Sequence, residues 1–359
     1  MKLVMKEMLF RVDGNSKIGM GHIMRCLSIA DAAKCSDFNC IFILSDVNCV
    51  KIVQERGYET IVLNTNYNEL DSEDVQIRLL IKEKDCDVFF VDSYFVTYQY
   101  LSKVYMFLKE KNSLLVCMDC NADFTYPCDV LINYNIYGPS KRNFFEERYR
   151  NSKYTIPLLL LGTEYVPLRQ EFYNMSIRNV HEKAEKVLIS TGGADWEQLT
   201  LEIVNQIICQ KSELEFHIII GCLNRDRYKI ENICANVENI ILHYDVKNMK
   251  ALMQEMDVAV SAAGSTLYEL CATQTPTITY ILADNQIMGA QQFSKHGVMI
   301  NAGDISQLGS IKLSKNIIFL VNDLVNDYSA RCDMSKKMKE IVDGNGAYKI
   351  VKELVSIYP

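Results

Sequence analysis

The sequence predicts an α/β protein built from two Rossmann-like domains whose parallel sheets face a central cleft. Three observations lead there. Short apolar, β-rich runs alternate with longer amphipathic segments, the pattern of a parallel sheet covered on both faces. That alternation breaks after Tyr137 and starts again at residue 186. The chain is 359 residues long, enough for two domains that each bury a core.

The elements follow in order. "MLFRVDG" (8–14) reads as a strand and "GHIMRCLSIADAAKC" as a helix, with Ile23, Cys26, Leu27 and Ala30 at helical spacing. "NCIFILSD" is the next strand, and "VNCVKIVQERG" a helix that Gly57 stops. "ETIVLN", "CDVFFVDS", "SLLVCMDC" and "CDVLINYN" are further strands, with "VTYQYLSKVYMFLKEKN" and a charged segment before "CDVFFVDS" as helices. The stretch 138–174 is charged, aromatic and marked by prolines, so it reads as a connection between domains. The second alternation runs from the strand "KVLISTGGAD" through "EFHIIIGC", "NIILHY", "DVAVSAAG", "PTITYIL" and "VMINAG", with helices between and a helical C-terminus. The expected boundaries are 1–165 and 166–359, with the last helix packing back on the N-terminal domain.

Composition removes several classes of function. A net charge of −7 and a pI near 5.4 argue against a nucleic-acid footprint, which needs a basic face. The 13 cysteines lie scattered in apolar runs and read as reduced core residues rather than a disulfide framework. Cys117 and Cys120 have C-x-x-C spacing but close an apolar strand, without the helix or second pair that redox or zinc chemistry requires. No run approaches the roughly 18 apolar residues of a membrane span, and the N-terminus lacks the apolar core of a signal peptide. A cytoplasmic protein without membrane insertion is expected, with a monomer as its simplest state.

Ligands of open parallel sheets bind where strand ends meet helix starts. Three glycine-marked loops occupy such places. In "KIGMGHIMRC" (17–26), Gly19 and Gly21 permit positive φ and close approach to a ligand, and the following helix start is an anion site. Neither nucleotide fingerprint is complete, since the third glycine of G-x-G-x-x-G and the Lys-Ser/Thr of a P-loop are missing. His22 falls in the first helical turn, where the dipole disfavours a protonated imidazole, and Asp13 at the preceding strand end could orient the ring. A simple turn, an anion loop and a catalytic loop all fit these residues.

"STGGAD" offers the amides of Gly192 and Gly193 to a diphosphate, or is a tight turn with Asp195 as helix cap. In "SAAGSTLYEL", Ala263 and Gly264 let a ligand lie against the backbone. Ser265 and Thr266 can hold phosphate oxygens there, and Glu269 either serves the helix dipole or accepts from ribose hydroxyls. "DNQIMGAQQF" adds Asn285 and Gln286, or is a plain capped helix. The other histidines read as structural, and no two show metal-ligand spacing.

Several segments together resemble one family. "LFRVDGNSKIGMGHIMRCLSIA", "VDSY", "INYNIYG", "LLGTEYVPLRQEFY", "STGGAD", "SAAGSTLYEL" and "DNQ" follow the order found in the UDP-2,4-diacetamido-2,4,6-trideoxy-β-L-altropyranose hydrolases of pseudaminic acid biosynthesis. The closing "VDGNGAYKIV" looks like that family's ending, and the chain is more distantly similar to GT-B glycosyltransferases of the peptidoglycan lipid-intermediate type.

The resemblance implies a GT-B fold, hydrolysis of a UDP-sugar with inversion at the anomeric carbon, and no metal or other cofactor. It places the catalytic histidine on His22, supported by Asp13, and a tyrosine near the sugar on Tyr94. It assigns nucleotide contacts to Gly192, Gly193, Ser265, Thr266, Glu269 and Asn285. Gly19, Gly21, Arg25, Ala263, Gly264 and Gln286 join the expected substrate-binding set. One motif departs: the family's D-H-Y-G stands here as "DSYF", with Ser93 and Phe95 beside the expected sugar pocket. The alternatives are a GT-B transferase using an alcohol acceptor and a non-catalytic UDP-sugar-binding module.

Overall fold

A computed structural model describes residues 5–15, 17–118, 124–192, 195, 197–221 and 223–358. The chain divides into two compact units, Met1–Gln170 with Asn345–Pro359, and Glu171–Gly344.

The first unit holds β1 (Lys6–Val12), α1 (Gly21–Lys34), β2 (Phe38–Leu44), α2 (Val50–Glu55), β3 (Glu59–Val62), α3 (Asp74–Glu83), β4 (Val88–Asp92), α4 (Tyr98–Glu110), β5 (Leu114–Met118), β6 (Val130–Asn133), α5 (Arg142–Arg150) and β7 (Leu158–Leu161). All seven strands are parallel, in the order β3-β2-β1-β4-β5-β6-β7. The central strands are buried on both faces, which is why they read as continuous apolar runs. On one face Leu9, Ile41, Phe89 and Leu115 meet Ile77 and Ile81 of α3 and Leu101, Val104 and Leu108 of α4. On the other, Phe10 stacks on Phe42 at 4.9 Å and tilts against Phe90 at 5.2 Å. Thr97 starts α4 by accepting from the Tyr100 amide at 3.0 Å, so that helix opens where its apolar stripe begins.

One expectation needs correction. The stretch 138–174 is not merely a connection, because α5 and the seventh strand lie within it. The run "RNFFEERYR" buries only Phe145 and Tyr149, so its helical face is narrow and its charge hides it.

The second unit holds β8 (Lys186–Ser190), α6 (Leu199–Gln210), β9 (Glu215–Ile219), α7 (Arg227–Cys234), β10 (Ile240–His243), α8 (Met249–Glu255), β11 (Val258–Ala262), α9 (Thr266–Thr273), β12 (Thr277–Ile281), α10 (Ile287–Lys295), β13 (Ile300–Asp304), α11 (Ile305–Asn326) and α12 (Tyr328–Ile341). Its six strands are also parallel, in the order β10-β9-β8-β11-β12-β13. The last helix, α13 (Gly346–Ile357), belongs to the first unit and packs on α1 through a face that buries Ala347, Ile350, Val351 and Leu354.

Each sheet reverses direction of growth once, between β1 and β4 in the first unit and between β8 and β11 in the second. At such a point neighbouring crossovers run to opposite sides and leave a crevice beyond the strands' carboxyl ends. His22 follows β1 and Asp92 closes β4, while Gly192 follows β8 and Gly264 follows β11. The sheet orders therefore bring residues distant in sequence to two switch points, one in each unit.

Candidate active site

The loop after β1 is tied by its own backbone. Asn15 and Gly19 exchange hydrogen bonds of 2.8 and 3.3 Å, and the Asn15 side-chain oxygen accepts from the amides of Lys17 and Ile18. Closing so short a turn requires φ = +75° at Gly19, a conformation that L side chains resist. Helix α1 then begins with no side-chain cap and no acid in its first turn. A Cβ placed on Gly21 would meet no atom of the described residues within 4 Å, so nothing among them demands a glycine there.

His22 is 3% exposed. Its Nδ1 lies 2.7 Å from Oδ1 of Asp92, which is wholly buried. Burial alone would push the Asp92 carboxyl up, but the charges and hydrogen bonds of Arg25 and His22 hold it well below the usual carboxylate range. An ionised carboxylate only accepts, so Nδ1 must carry the hydrogen, and in the neutral ring the lone pair then resides on Nε2. Nε2 is buried and has no hydrogen-bond partner among the described residues. The ring of Tyr94 stands edge-on to the imidazole, with centroids 4.4 Å apart at 89°.

Asp13 is engaged elsewhere. Its Oδ2 receives Nη1 of Arg11 at 2.5 Å, and its Oδ1 accepts from the Ser45 amide and hydroxyl, each at 2.8 Å. Arg11 is fully buried in β1, and its other edge forms a two-bond fork with Glu73, both bonds 2.7 Å. Residues two apart on a strand share a face, so Asp13 satisfies Arg11 beneath the loop. The carboxylate that orients His22 is Asp92. The sequence reading missed it, although "VDSY" placed an acid at the carboxyl end of a strand.

Arg25, expected among the substrate-binding residues, has all three guanidinium nitrogens engaged within the unit. Nε donates to Asp92 Oδ2 at 2.5 Å, Nη2 to Asp92 Oδ1, and Nη1 to the Tyr134 hydroxyl at 2.8 Å. Of the two departures from the family motif, Phe95 faces the core and meets Tyr67 edge-on at 5.5 Å. Ser93 accepts from the Phe95 amide at 3.1 Å, which fixes the turn.

In the second unit, Gly192 takes φ = +91° with no atom of the described residues within 4 Å of where a Cβ would stand, and Gly193 lies outside the described residues. The start of α6 is already occupied by a carboxylate: Asp195 accepts from the amides of Leu199 and Thr200 at 3.0 and 2.9 Å. Helix α9 differs. It opens after an exposed Ser265 with no side-chain cap, followed by Thr266 and then Glu269 in the first turn. Gln286 closes the neighbouring turn by accepting from the Leu282 amide at 2.9 Å, and its Nε2 would lie 3.9 Å from a Cβ on Gly264. Ala263, Gly264, Ser265 and Gln286 are thus brought to one edge, with Asn285 exposed beside them. Among the described residues no group of three or more His, Cys, Asp or Glu could hold a metal ion, and no helix is long and apolar enough to cross a membrane.

The chain is similar to several known proteins. Residues 186–353 match the glycosyltransferase family 28 C-terminal domain. An uncharacterized protein of Methanocaldococcus jannaschii is 23% identical over 285 residues, 77% of this chain but 55% of that protein, so the chain spans about half its length. Spore coat polysaccharide biosynthesis protein SpsG of Bacillus subtilis is 20% identical over 349 residues, 96% of this chain and 97% of that one. The UDP-2,4-diacetamido-2,4,6-trideoxy-β-L-altropyranose hydrolase of Campylobacter jejuni is 25% identical over 295 residues, covering 81% and 97%. The crystal structure of MurG from Acinetobacter baumannii superposes with a TM-score of 0.67 at 11% identity, over 98% of this chain and 99% of that one. That likeness shows a common GT-B fold. Residues 186–353 thus carry a glycosyltransferase family 28 C-terminal domain, and over most of its length the chain is similar to the UDP-2,4-diacetamido-2,4,6-trideoxy-β-L-altropyranose hydrolases.

Proposed function

We propose that this protein is a UDP-sugar hydrolase that releases UDP from a UDP-linked 2,4-diacetamido-2,4,6-trideoxy-hexose of the altrose type, supplying the free sugar for pseudaminic acid biosynthesis. The observation that carries the reading is the buried Nε2 of His22, which has no hydrogen-bond partner among the described residues and is held as a lone-pair nitrogen by Asp92. Such a nitrogen accepts a proton from water as the water oxygen bonds to the anomeric carbon. The bond from that carbon to the phosphate oxygen breaks, UDP leaves with the electron pair, and attack opposite the leaving group inverts the centre. Tyr94, at the edge of the imidazole, lines the sugar.

The nucleotide is assigned to the second unit. The uncapped start of α9 holds diphosphate oxygens through backbone amides and the Ser265 and Thr266 hydroxyls, an arrangement that also stabilises the departing charge. Gly264 and Ala263 let the ligand lie against the backbone, Gly192 contributes its amide, and Glu269, Asn285 and Gln286 serve the ribose and base. Gly19 and Gly21 clear space beside His22. Asp13 supports the loop through Arg11 rather than touching the imidazole.

His22→Ala is expected to lower the rate of UDP release by about 10²–10⁴-fold while UDP binding stays within about twofold, read by phosphorus NMR and calorimetry. Normal turnover with lost UDP affinity would remove His22 from the chemistry. The family 28 domain favours one second reading, transfer of the sugar to an alcohol. Under that reading UDP release requires an added acceptor.

A further inference from the structure

We infer that Arg25 is a positioning residue that keeps His22 neutral with its lone pair on Nε2, acting through Asp92 rather than through the substrate. The inference rests on the reading of His22 as proton acceptor.

Arg25 stands one turn after His22 on α1, so both side chains leave the same helix face and converge on the end of β4. The buried Asp92 carboxylate receives His22 Nδ1 and two guanidinium nitrogens on its two oxygens, and the Cys26 thiol approaches Oδ2 at 3.6 Å. The guanidinium is fixed from its other edge by the Tyr134 hydroxyl, beyond β6. Nη2 of Arg25 also sits 2.9 Å from His22 Nδ1. Both groups are donors in this arrangement, so that approach is a charge placed beside the ring rather than a hydrogen bond.

Two outcomes follow for a buried carboxylate deprived of this cation. It can draw a proton onto the imidazole, giving an ion pair in which both ring nitrogens carry hydrogen. Alternatively it takes up the proton itself, and the ring is released to carry its hydrogen on Nε2. In either case Nε2 loses the lone pair. Arg25 blocks both: it compensates the Asp92 charge, and it places a positive charge where imidazolium would have to form. Lysine offers one compact ammonium in place of the planar fork and cannot reproduce the two-oxygen clamp together with the Tyr134 bond.

The test uses the full-length protein with nitrogen-15 histidine at pH 7.5. In the wild type, the His22 ring is expected to show a protonated Nδ1 and an unprotonated Nε2. In Arg25→Met and Arg25→Lys the Nε2 signal should move to a protonated or averaged position. Their kcat should fall about 10²-fold, while KM and the UDP dissociation constant stay within about threefold. A wild-type nitrogen pattern in both variants overturns the proposal, as does a tenfold loss of UDP affinity with normal kcat, the signature of a substrate contact. Should Arg25→Met not fold, Arg25→Lys is read in the same spectrum and decides alone. His22→Gln separates the two claims. If it turns over normally the proton-acceptor reading fails, whatever the spectrum shows, whereas an inactive His22→Gln beside an unchanged spectrum in the Arg25 variants overturns only the role of Arg25.

Discussion

At the scale of single residues, the sequence offered His22 as a candidate because it falls in the first turn of a helix after a glycine loop, and the resemblance singled out the catalytic reading among the three that loop allows. Its partner was not legible, because Asp92 lies 70 positions away and is delivered by the pairing of β1 with β4. Asp13 was the nearer acid in sequence, yet strand geometry commits it to Arg11. Replacing Asp92 by Asn removes the charge that fixes the Nδ1–H tautomer, and kcat is expected to fall by about 10³-fold with the UDP dissociation constant unchanged.

The same residue shapes the response to acid. Its carboxyl is held below the unfolded value of 3.8, so the folded protein binds fewer protons than the unfolded chain. The stabilisation is complete above about pH 4 and is lost as the pH falls through the depressed folded value. Asp92→Asn should therefore cost about 3 kcal/mol at pH 7, with the gap to the wild type narrowing below about pH 4, measured by denaturant melts across pH.

At the scale of elements, alternation of apolar strands with amphipathic helices was readable because parallel strands buried on both faces have no polar period to confuse them. The exception is the pair α5 and β7. Five of the nine residues of α5 are charged, and the four leucines of β7 follow directly on Pro157, so the unit looks like a linker. Helix starts separate by what already occupies them. Asp195 takes the first amides of α6, whereas α9 is left without a side-chain cap. Gly264→Ala tests that contrast: among the described residues its added methyl meets only Gln286 Nε2, at 3.9 Å, so folding should be unaffected while UDP affinity falls about tenfold. In the first unit, Gly21→Ala should leave stability unchanged or raise it by about 0.5–1 kcal/mol. Its KM should rise, since the space its methyl fills is not used by the fold.

At the scale of the whole molecule, two successive Rossmann-like halves were visible in the restart of the pattern at residue 186. No pattern in the sequence names the partner of the last helix, which is set by an apolar face that buries Ala347, Ile350, Val351 and Leu354. Helix α13 packs on α1, the helix that carries His22 and Arg25. Deleting residues 345–359 should lower the melting temperature of the first unit and its catalytic rate, while UDP binding by the second unit persists.

In the proposed reaction, water activated by His22 attacks the anomeric carbon of a UDP-sugar. The most direct measurement is turnover of the UDP-linked 2,4-diacetamido-altrose sugar in oxygen-18 water without any added acceptor, followed by mass spectrometry of both products. With water as the attacking nucleophile, one labelled oxygen is expected in the released sugar and none in UDP, with release by His22→Ala slowed about 10²–10⁴-fold. Label in UDP, or release only when an alcohol acceptor is supplied, would contradict it.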